Sequence, residues 1–359
     1  MANSASRRLS QITDGWTVVD MFCGVGGLAH GFFQEGFRVV AGIDLDEACK
    51  YAFERNNRAR FIHRNVGTLT SSDLASIFGQ SSRRVLVGCA PCQPFSKYTV
   101  AQSENRKWHL LRPFMKLVVQ LRPEIVSMEN VPELAKHVIF HDFVETLEEN
   151  GYEISECVVD SRSYGVPQNR KRLVVFASRL GRIEIEKPTH RQPKWKTVRD
   201  AIGNLDPIKA GEISQSDPLH RARSLTPLNL QRVRSTPEGG DWRDWDPVLR
   251  LSCHKKPSGK RYEAIYGRMS WNKPAPTLTT HCCGIGNGRF GHPEQDRAIS
   301  LREAALLQTF PRSYEFVEPG IPISNKRISK YLGNAVPVRL GRIIARSIKR
   351  HIREFDARA

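Results

Sequence analysis

Five short apolar runs, spaced through the first half of the chain and separated by stretches of helical periodicity, restrict its fold more than any other feature. The runs cover residues 16–22, 38–43, 84–88, 124–128 and 173–177. Between them apolar residues recur at helical spacing, as over 110–121 and 140–149. A strand that is apolar along its whole length, not only at alternate positions, has both faces covered. Such strands alternating with helices define an α/β architecture, a doubly wound, Rossmann-like sheet with helices on both sides.

The pattern stops near Ser178. From there to about Ile299, Pro, Gly, Ser, Trp and Arg intermix without sustained periodicity, which reads as loop-rich structure. Residues 186–299 carry 20 Lys and Arg against 12 Asp and Glu. Helical patterning returns over 302–309, and again over 338–352 after the break at Gly333-Asn334-Ala335-Val336-Pro337.

Composition narrows the partners. A chain of 359 residues, 40% hydrophobic, can bury a sizeable core. Its formal net charge of +18 exceeds what folding requires and suits a polyanion, nucleic acid ahead of an anionic membrane. No run approaches the roughly eighteen apolar residues of a membrane span. Residues 1–13 read as a flexible tail and not as a secretory leader. The eight cysteines lack a disulfide-framework spacing, which fits the reducing cytoplasm. Cys253-His254 and His281-Cys282-Cys283 are adjacent, not spaced as zinc ligands, so no metal is expected.

Glycines cluster after the first run, in Asp20-Met21-Phe22-Cys23-Gly24-Val25-Gly26-Gly27-Leu28-Ala29. They permit a tight turn and let a ligand approach the backbone and the free N–H groups of the following helix. With Asp44 at the end of the second run, placed to accept from ribose hydroxyls, the loop points to an adenosine-containing cofactor. It does not separate a nicotinamide from S-adenosylmethionine.

Two further runs end in reactive groups. Gly88-Cys89-Ala90-Pro91-Cys92-Gln93-Pro94 holds Cys92 on a proline-bracketed turn. That turn falls at the carboxyl edge of the sheet, where α/β folds place their ligands. A thiolate there is a nucleophile. Cys89, directly after the apolar run, reads as a packing residue. Glu129-Asn130 ends the neighbouring run, so Glu129 is poised at the same edge. In Gln168-Asn169-Arg170-Lys171-Arg172, alternation along an extended segment turns Arg170 and Arg172 the same way, toward an anion or a carbonyl oxygen.

Taken in order, Asp20-x-Phe22-Cys23-Gly24-x-Gly26-Gly27, Pro91-Cys92-Gln93, Glu129-Asn130-Val131, Gln168-x-Arg170-x-Arg172, the stretch Arg302 to Pro311, and Gly333-Asn334-Ala335-Val336 resemble the motif set of the DNA cytosine-5 methyltransferases, in particular the bacterial type II enzymes. The resemblance implies a mixed sheet and a discontinuous catalytic domain, 14–185 with 301–359. It implies an irregular target-recognition domain inserted at 186–300. The cofactor would be S-adenosylmethionine, held by Phe22, Cys23, Gly24, Gly26, Gly27, Leu28 and Leu45, with Asp44 at the ribose. Asn65 and Val66 would flank the adenine, where the family often has Asp in place of Asn65. Pro91, Leu110, Asn334, Ala335 and Val336 would complete the wall.

The same resemblance implies the chemistry. Cytosine C5 is too weak a nucleophile to take a methyl group unaided, and addition of the Cys92 thiolate at C6 activates it. Glu129 would protonate N3, Arg172 would bind O2, and Arg170 would order the pocket. The base must first leave the duplex. Gln93, Ser96, Lys97, Asn130, Gln168, Thr277 and Thr279 would touch the DNA, and the segment 96–109 would close over the flipped base. The resemblance further implies a monomeric, nucleoid-associated enzyme on double-stranded DNA, with a cognate restriction endonuclease as a candidate partner. A dinucleotide oxidoreductase would leave Pro91-Cys92-Gln93, Glu129 and the charge without a role. An RNA methyltransferase of the same fold is disfavoured by the long inserted region.

Overall fold

The computed structural model describes residues 13, 15–91, 110–256, 259, 262 and 264–358. Their contacts divide the chain into two units, Met1–Asp160 with Lys171–Pro188 and Val336–Ala359, and Ser161–Arg170 with Thr189–Ala335.

The first unit is built on seven strands. In chain order its elements are β1 (Trp16–Met21), α1 (Gly27–Gln34), β2 (Arg38–Asp44), α2 (Lys50–Asn57), β3 (Arg60–His63), α3 (Ser71–Phe78), β4 (Arg83–Gly88), α4 (Leu111–Leu121), β5 (Ile125–Asn130), α5 (Val138–Glu149), β6 (Glu153–Asp160) and β7 (Lys171–Ser178). The sheet order is β3-β2-β1-β4-β5-β7-β6. The first five strands are parallel, and β7 runs antiparallel to both β5 and β6. The sheet is therefore mixed. β1 and β5 are buried at every residue, as strands covered on both faces must be. One face packs against α3, α4 and α5 through Leu74, Phe114, Leu117, Phe140 and Phe143. On α4 the buried residues Leu111, Phe114, Leu117, Val118 and Leu121 form one stripe, and Arg122 ends the helix in the left-handed conformation.

The chain's last helix, α10 (Val338–Asp356), returns to α1. The two meet at glycines. A Cβ on Gly31 would stand 2.4 Å from the backbone of Gly341 and Arg342, and one on Gly341 would stand 2.9 Å from the Leu28 carbonyl.

Among its described residues the second unit has four short α-helices, α6 (Val198–Ile202), α7 (Pro227–Arg234), α8 (Leu301–Leu307) and α9 (Asn325–Asn334), joined by irregular chain. Such chain leaves many carbonyls without ladder partners, and buried arginines supply the donors. Arg268, 4% exposed, donates to the carbonyls of Val233, Thr236, His292 and Gln295. Arg297, fully buried, donates to Ile208 O and grips Glu303 through two 2.7 Å contacts. Arg232 donates to Leu249 O at 3.0 Å. These three arginines hold the framework of this unit. The Arg297–Glu303 and Arg302–Asp217 pairs bind α8 within this unit. Residues 301–335 thus cluster with the second unit, whereas the sequence grouped 301–359 with the first half.

Candidate active site

β1 and β4 are neighbours, and the chain leaves them in opposite directions, toward β2 and toward β5. At such a switch point the carboxyl ends of the strands open a crevice. The glycine loop follows β1 there, the Cys89–Pro91 turn follows β4, Asp44 ends β2 and Glu129-Asn130 ends β5.

The loop is shaped by left-handed residues. Phe22, Gly24 and Gly26 have φ of 59°, 50° and 88°. For Phe22 that conformation is strained by on the order of 1–3 kcal/mol, of the kind that marks functional sites. Its ring lies 6.4 Å from that of Phe114. A Cβ at Gly24 would meet nothing within 4 Å, so space is open above the backbone. Gly24 N donates to Asp44 Oδ2 at 2.8 Å, and Asp46 N donates to Oδ1 at 2.9 Å. Each Asp44 oxygen keeps lone-pair capacity for a hydroxyl. Leu45 beside it is 65% exposed. Asn65 Oδ1 accepts from Gly67 N at 2.9 Å, and Leu110 reaches to 3.9 Å from where a Gly67 Cβ would stand. Cys23, Gly27, Leu28 and Val66 are buried, and Pro91 is exposed.

Asp20 was not singled out in the sequence, although a carboxylate inside an apolar strand is itself a signal. It is 1% exposed, and its Oδ2 accepts from Ala29 N at 3.1 Å in the first turn of α1. Burial pushes its carboxyl well above the usual range.

Glu129 is 2% exposed and held from two sides. Arg172 Nε lies 3.1 Å from Oε1, and the Cys89 thiol donates to Oε2 at 2.8 Å. Cys89 therefore contacts the carboxylate rather than merely packing. Asn130, read from sequence as a DNA contact, is 2% exposed. Its amide donates to Ala90 O at 3.1 Å and its oxygen accepts from Val131 N at 2.8 Å, so it ties the end of β5 to the turn after β4.

In the second unit Gln168 and Arg170 stitch together segments far apart in sequence. Gln168 is fully buried. It accepts from Leu278 N and donates to Gln308 Oε1, each at 3.0 Å. Arg170 donates to Leu278 O at 3.2 Å and Ala335 O at 3.3 Å, and Gln308 donates to Leu332 O. Burial removes Gln168 from the DNA-facing set. Arg170 and Arg172 do not share one target: Arg170 turns to backbone carbonyls and Arg172 to Glu129. Thr277 and Thr279 are exposed on either side of buried Leu278. Asn334 is exposed at the end of α9, Ala335 is half-buried, and Val336 is buried. Cys92, Gln93, Ser96, Lys97 and the rest of 96–109 lie outside the described residues, as do residues 1–12. Among the described residues no cluster could hold a metal ion, and no helix is long and apolar enough to cross a membrane.

A glycine-loop crevice beside a buried carboxylate–guanidinium pair defines the class, an α/β enzyme of the doubly wound methyltransferase type. Two solved structures share the fold. A DNA modification methyltransferase from an E. coli prophage, described as putative, superposes with a TM-score of 0.72 at 20% identity, covering 94% of this chain and 99% of that one. A methyltransferase from Entamoeba histolytica gives 0.61 at 15% identity, covering 92% and 97%. The family model for C-5 cytosine-specific DNA methylases matches residues 16–350. The chain is 51% identical over 344 residues to the type II methylase M.HgiDII of Herpetosiphon aurantiacus, covering 95% of this chain and 97% of that one. It is 32% identical to the type II methyltransferase M.PspPI of a Psychrobacter strain, covering 93% and 79%. The chain belongs to the C-5 cytosine-specific DNA methylase family, and is a DNA (cytosine-5)-methyltransferase.

Proposed function

We propose that the chain methylates cytosine C5 within one short duplex sequence by covalent catalysis on an extruded base. The observation that carries this reading is the convergence at the switch point. The open glycine loop with Asp44 lies at the end of β1 and β2, and the Glu129–Arg172 pair at the end of β5 and the start of β7.

The residues fit S-adenosylmethionine. The space above Gly24 admits a ligand against the backbone, Asp44 retains acceptors for ribose hydroxyls, and Phe22 and Leu45 offer apolar surface to a purine. Asn65 and Leu110 line the same edge. When bound, the cofactor supplies an electrophilic methyl group.

Cys92 adds to cytosine C6 as thiolate, forming the S–C bond and pushing an electron pair through the ring toward N3. Glu129 delivers a proton to N3 and accepts from the exocyclic amine, which selects cytosine over thymine. Arg172 stays within reach of both Glu129 and the base oxygen O2. C5 then takes the methyl group, loses its proton to a base, and the returning electron pair expels Cys92. Reaching C6 requires the base to leave the stack. Thr279 presents a hydroxyl for a backbone phosphate, and 96–109 supplies Lys97, Arg106 and Lys107 to the same end, whereas the Thr277 hydroxyl already donates to Asn169 O. Asn130 and Gln168 position the backbone behind these contacts.

The type II names of the relatives support a modification enzyme paired with a restriction endonuclease; in this reading it works as a monomer on the bacterial nucleoid.

Mixed-sequence duplex and labelled S-adenosylmethionine, followed by bisulfite sequencing, test the reaction and its site together. Methylated cytosines confined to one motif are expected, and transfer to tRNA alone would overturn the reading. A duplex carrying 5-fluorocytosine at the target blocks loss of the C5 substituent, so the Cys92 adduct should persist in denaturant. Cys92→Ser should form no adduct, and normal turnover by that variant would sink covalent catalysis.

A further inference from the structure

The last helix carries charge that neither the cofactor crevice nor the cytosine pocket uses. Between Val338 and Arg353, α10 holds Arg339, Arg342, Arg346, Lys349, Arg350 and Arg353, and it has no acid before Glu354. Helical spacing puts Arg339, Arg342, Arg346 and Arg353 on one face, a row about 21 Å long at 1.5 Å per residue. The opposite face, with Leu340, Ile344 and Ile348, is buried.

Arg342 and Arg346 share one carboxylate oxygen, Glu35 Oε1, at 2.7 and 3.0 Å. Lys349 Nζ donates to the Glu35 carbonyl at 2.7 Å, and Arg350 turns aside to Glu186 at 3.0 Å. Arg339 sits in the first turn of α10, at the positive end of the helix dipole, where a cation is disfavoured. Partial burial, together with Arg342 and Arg346, holds its guanidinium below its ordinary pKa. Arg339, Arg346 and Arg353 are exposed. Arginines held in register against their own repulsion suit a regularly spaced polyanion, because each planar fork matches a phosphate.

We propose that the outer face of α10 is a sequence-independent docking surface for the phosphate backbone of duplex DNA, engaging duplex other than the segment being methylated. It would keep the enzyme on DNA between target sites. That the polyanion is DNA rests on the family's substrate.

The test uses the full-length protein saturated with a short unlabelled duplex carrying its methylation motif. A labelled duplex lacking the motif is then titrated by fluorescence anisotropy at several salt concentrations. The wild type should bind it with strong salt dependence. The triple variant R339Q/R346Q/R353Q should bind it at least about tenfold more weakly, with a log–log salt slope shallower by about 2 to 3. Its turnover on the short duplex should be unchanged, which also shows that it folds. An unchanged slope in the variant overturns the proposal, as does a wild type that takes no second duplex. Equal loss of short-duplex turnover would assign the row to the catalytic site. Binding of phosphatidylserine vesicles but not DNA would assign it to membranes. Failure of the methylation chemistry would appear separately, as absent turnover in the wild type.

Discussion

Glu129 has a cation on one oxygen and a thiol on the other, and the two neighbours do different work. Arg172 lies against Oε1, and the Cys89 thiol, donating to Oε2, fixes the rotation of the carboxyl plane. Removing one hydrogen bond of this kind costs about 0.5–1.5 kcal/mol. Cys89→Ala should therefore lower kcat about 2- to 10-fold with KM for DNA and cofactor unchanged, and Cys89→Ser should recover most of it. Equal losses in both variants under steady-state assay would mean that the sulfur only fills space. Glu129→Gln should lower kcat about 10²–10⁴-fold while cofactor affinity, measured by calorimetry, holds. His292 makes a different prediction at the same scale. It is 1% exposed, and its Nδ1 accepts from Gln295 N at 2.9 Å, which requires the neutral ring. Burial, with Arg297 and Arg268 against the opposing pull of Glu303, lowers its pKa to about 4. Unfolded, it titrates near 6.5. Between these values the unfolded chain holds more protons, so stability is full above about pH 6.5 and declines as pH falls toward 4, by on the order of 3 kcal/mol. Denaturant midpoints at neutral and acid pH should show this decline in the wild type and a flatter one in His292→Gln.

The α1–α10 contact makes an element-scale prediction, since both helices approach through glycine. A Cβ on Gly31 meets backbone, which cannot rotate away, so the helices must separate. Gly31→Ala should destabilise by about 1–3 kcal/mol, visible as a lower Tm, even though alanine is the better helix former. An unchanged Tm would mean that the helices slide freely. Element by element, the sequence was legible where burial was two-sided. β1, β2, β4, β5 and β7 announce themselves as apolar runs because both faces are covered. β3 escapes because it is only four residues long, with Phe61 and Ile62 its sole apolar pair. β6 escapes because it is an edge strand, with polar and half-buried residues along Glu153–Asp160 and, among the described residues, β7 as its one strand neighbour. The site was legible in the same uneven way. Residue type and motif order singled out Gly24, Asp44, Glu129 and Arg172, and the fold pairs Gly24 with Asp44 and Glu129 with Arg172. Which way a polar side chain points is not written in a motif, so Asn130 and Gln168 looked like DNA contacts, although their amides are satisfied inside the protein. Cys89 was passed over because the carboxylate that it meets lies forty residues away and comes near only through β4–β5 pairing.

For the molecule as a whole, the net charge of +18 has two uses. Part of it is architectural: Arg170, Arg232, Arg268, Arg297 and Arg302 are each less than a tenth exposed and hold irregular chain together. These do not release counterions when DNA binds. The remainder lies on the surface, in α10 and elsewhere, where the proposed contacts to the phosphate backbone would draw on it. If surface residues neutralise six to ten phosphates, duplex affinity falls by about 10³–10⁵-fold between roughly 50 and 200 mM salt. In the proposed site S-adenosylmethionine, a small molecule with a net charge of about +1, would meet a backbone loop and one carboxylate, so its binding should release few counterions. Its Kd should change by no more than about threefold over the same range. Filter binding of a motif-free duplex and calorimetry of the cofactor, run on one preparation across that salt series, set the two against each other. A steep duplex response beside a flat cofactor response places the excess charge in the DNA interface. Parallel responses would mean that salt acts on the fold, and a shallow duplex response would mean that most of the positive charge is spent inside the protein.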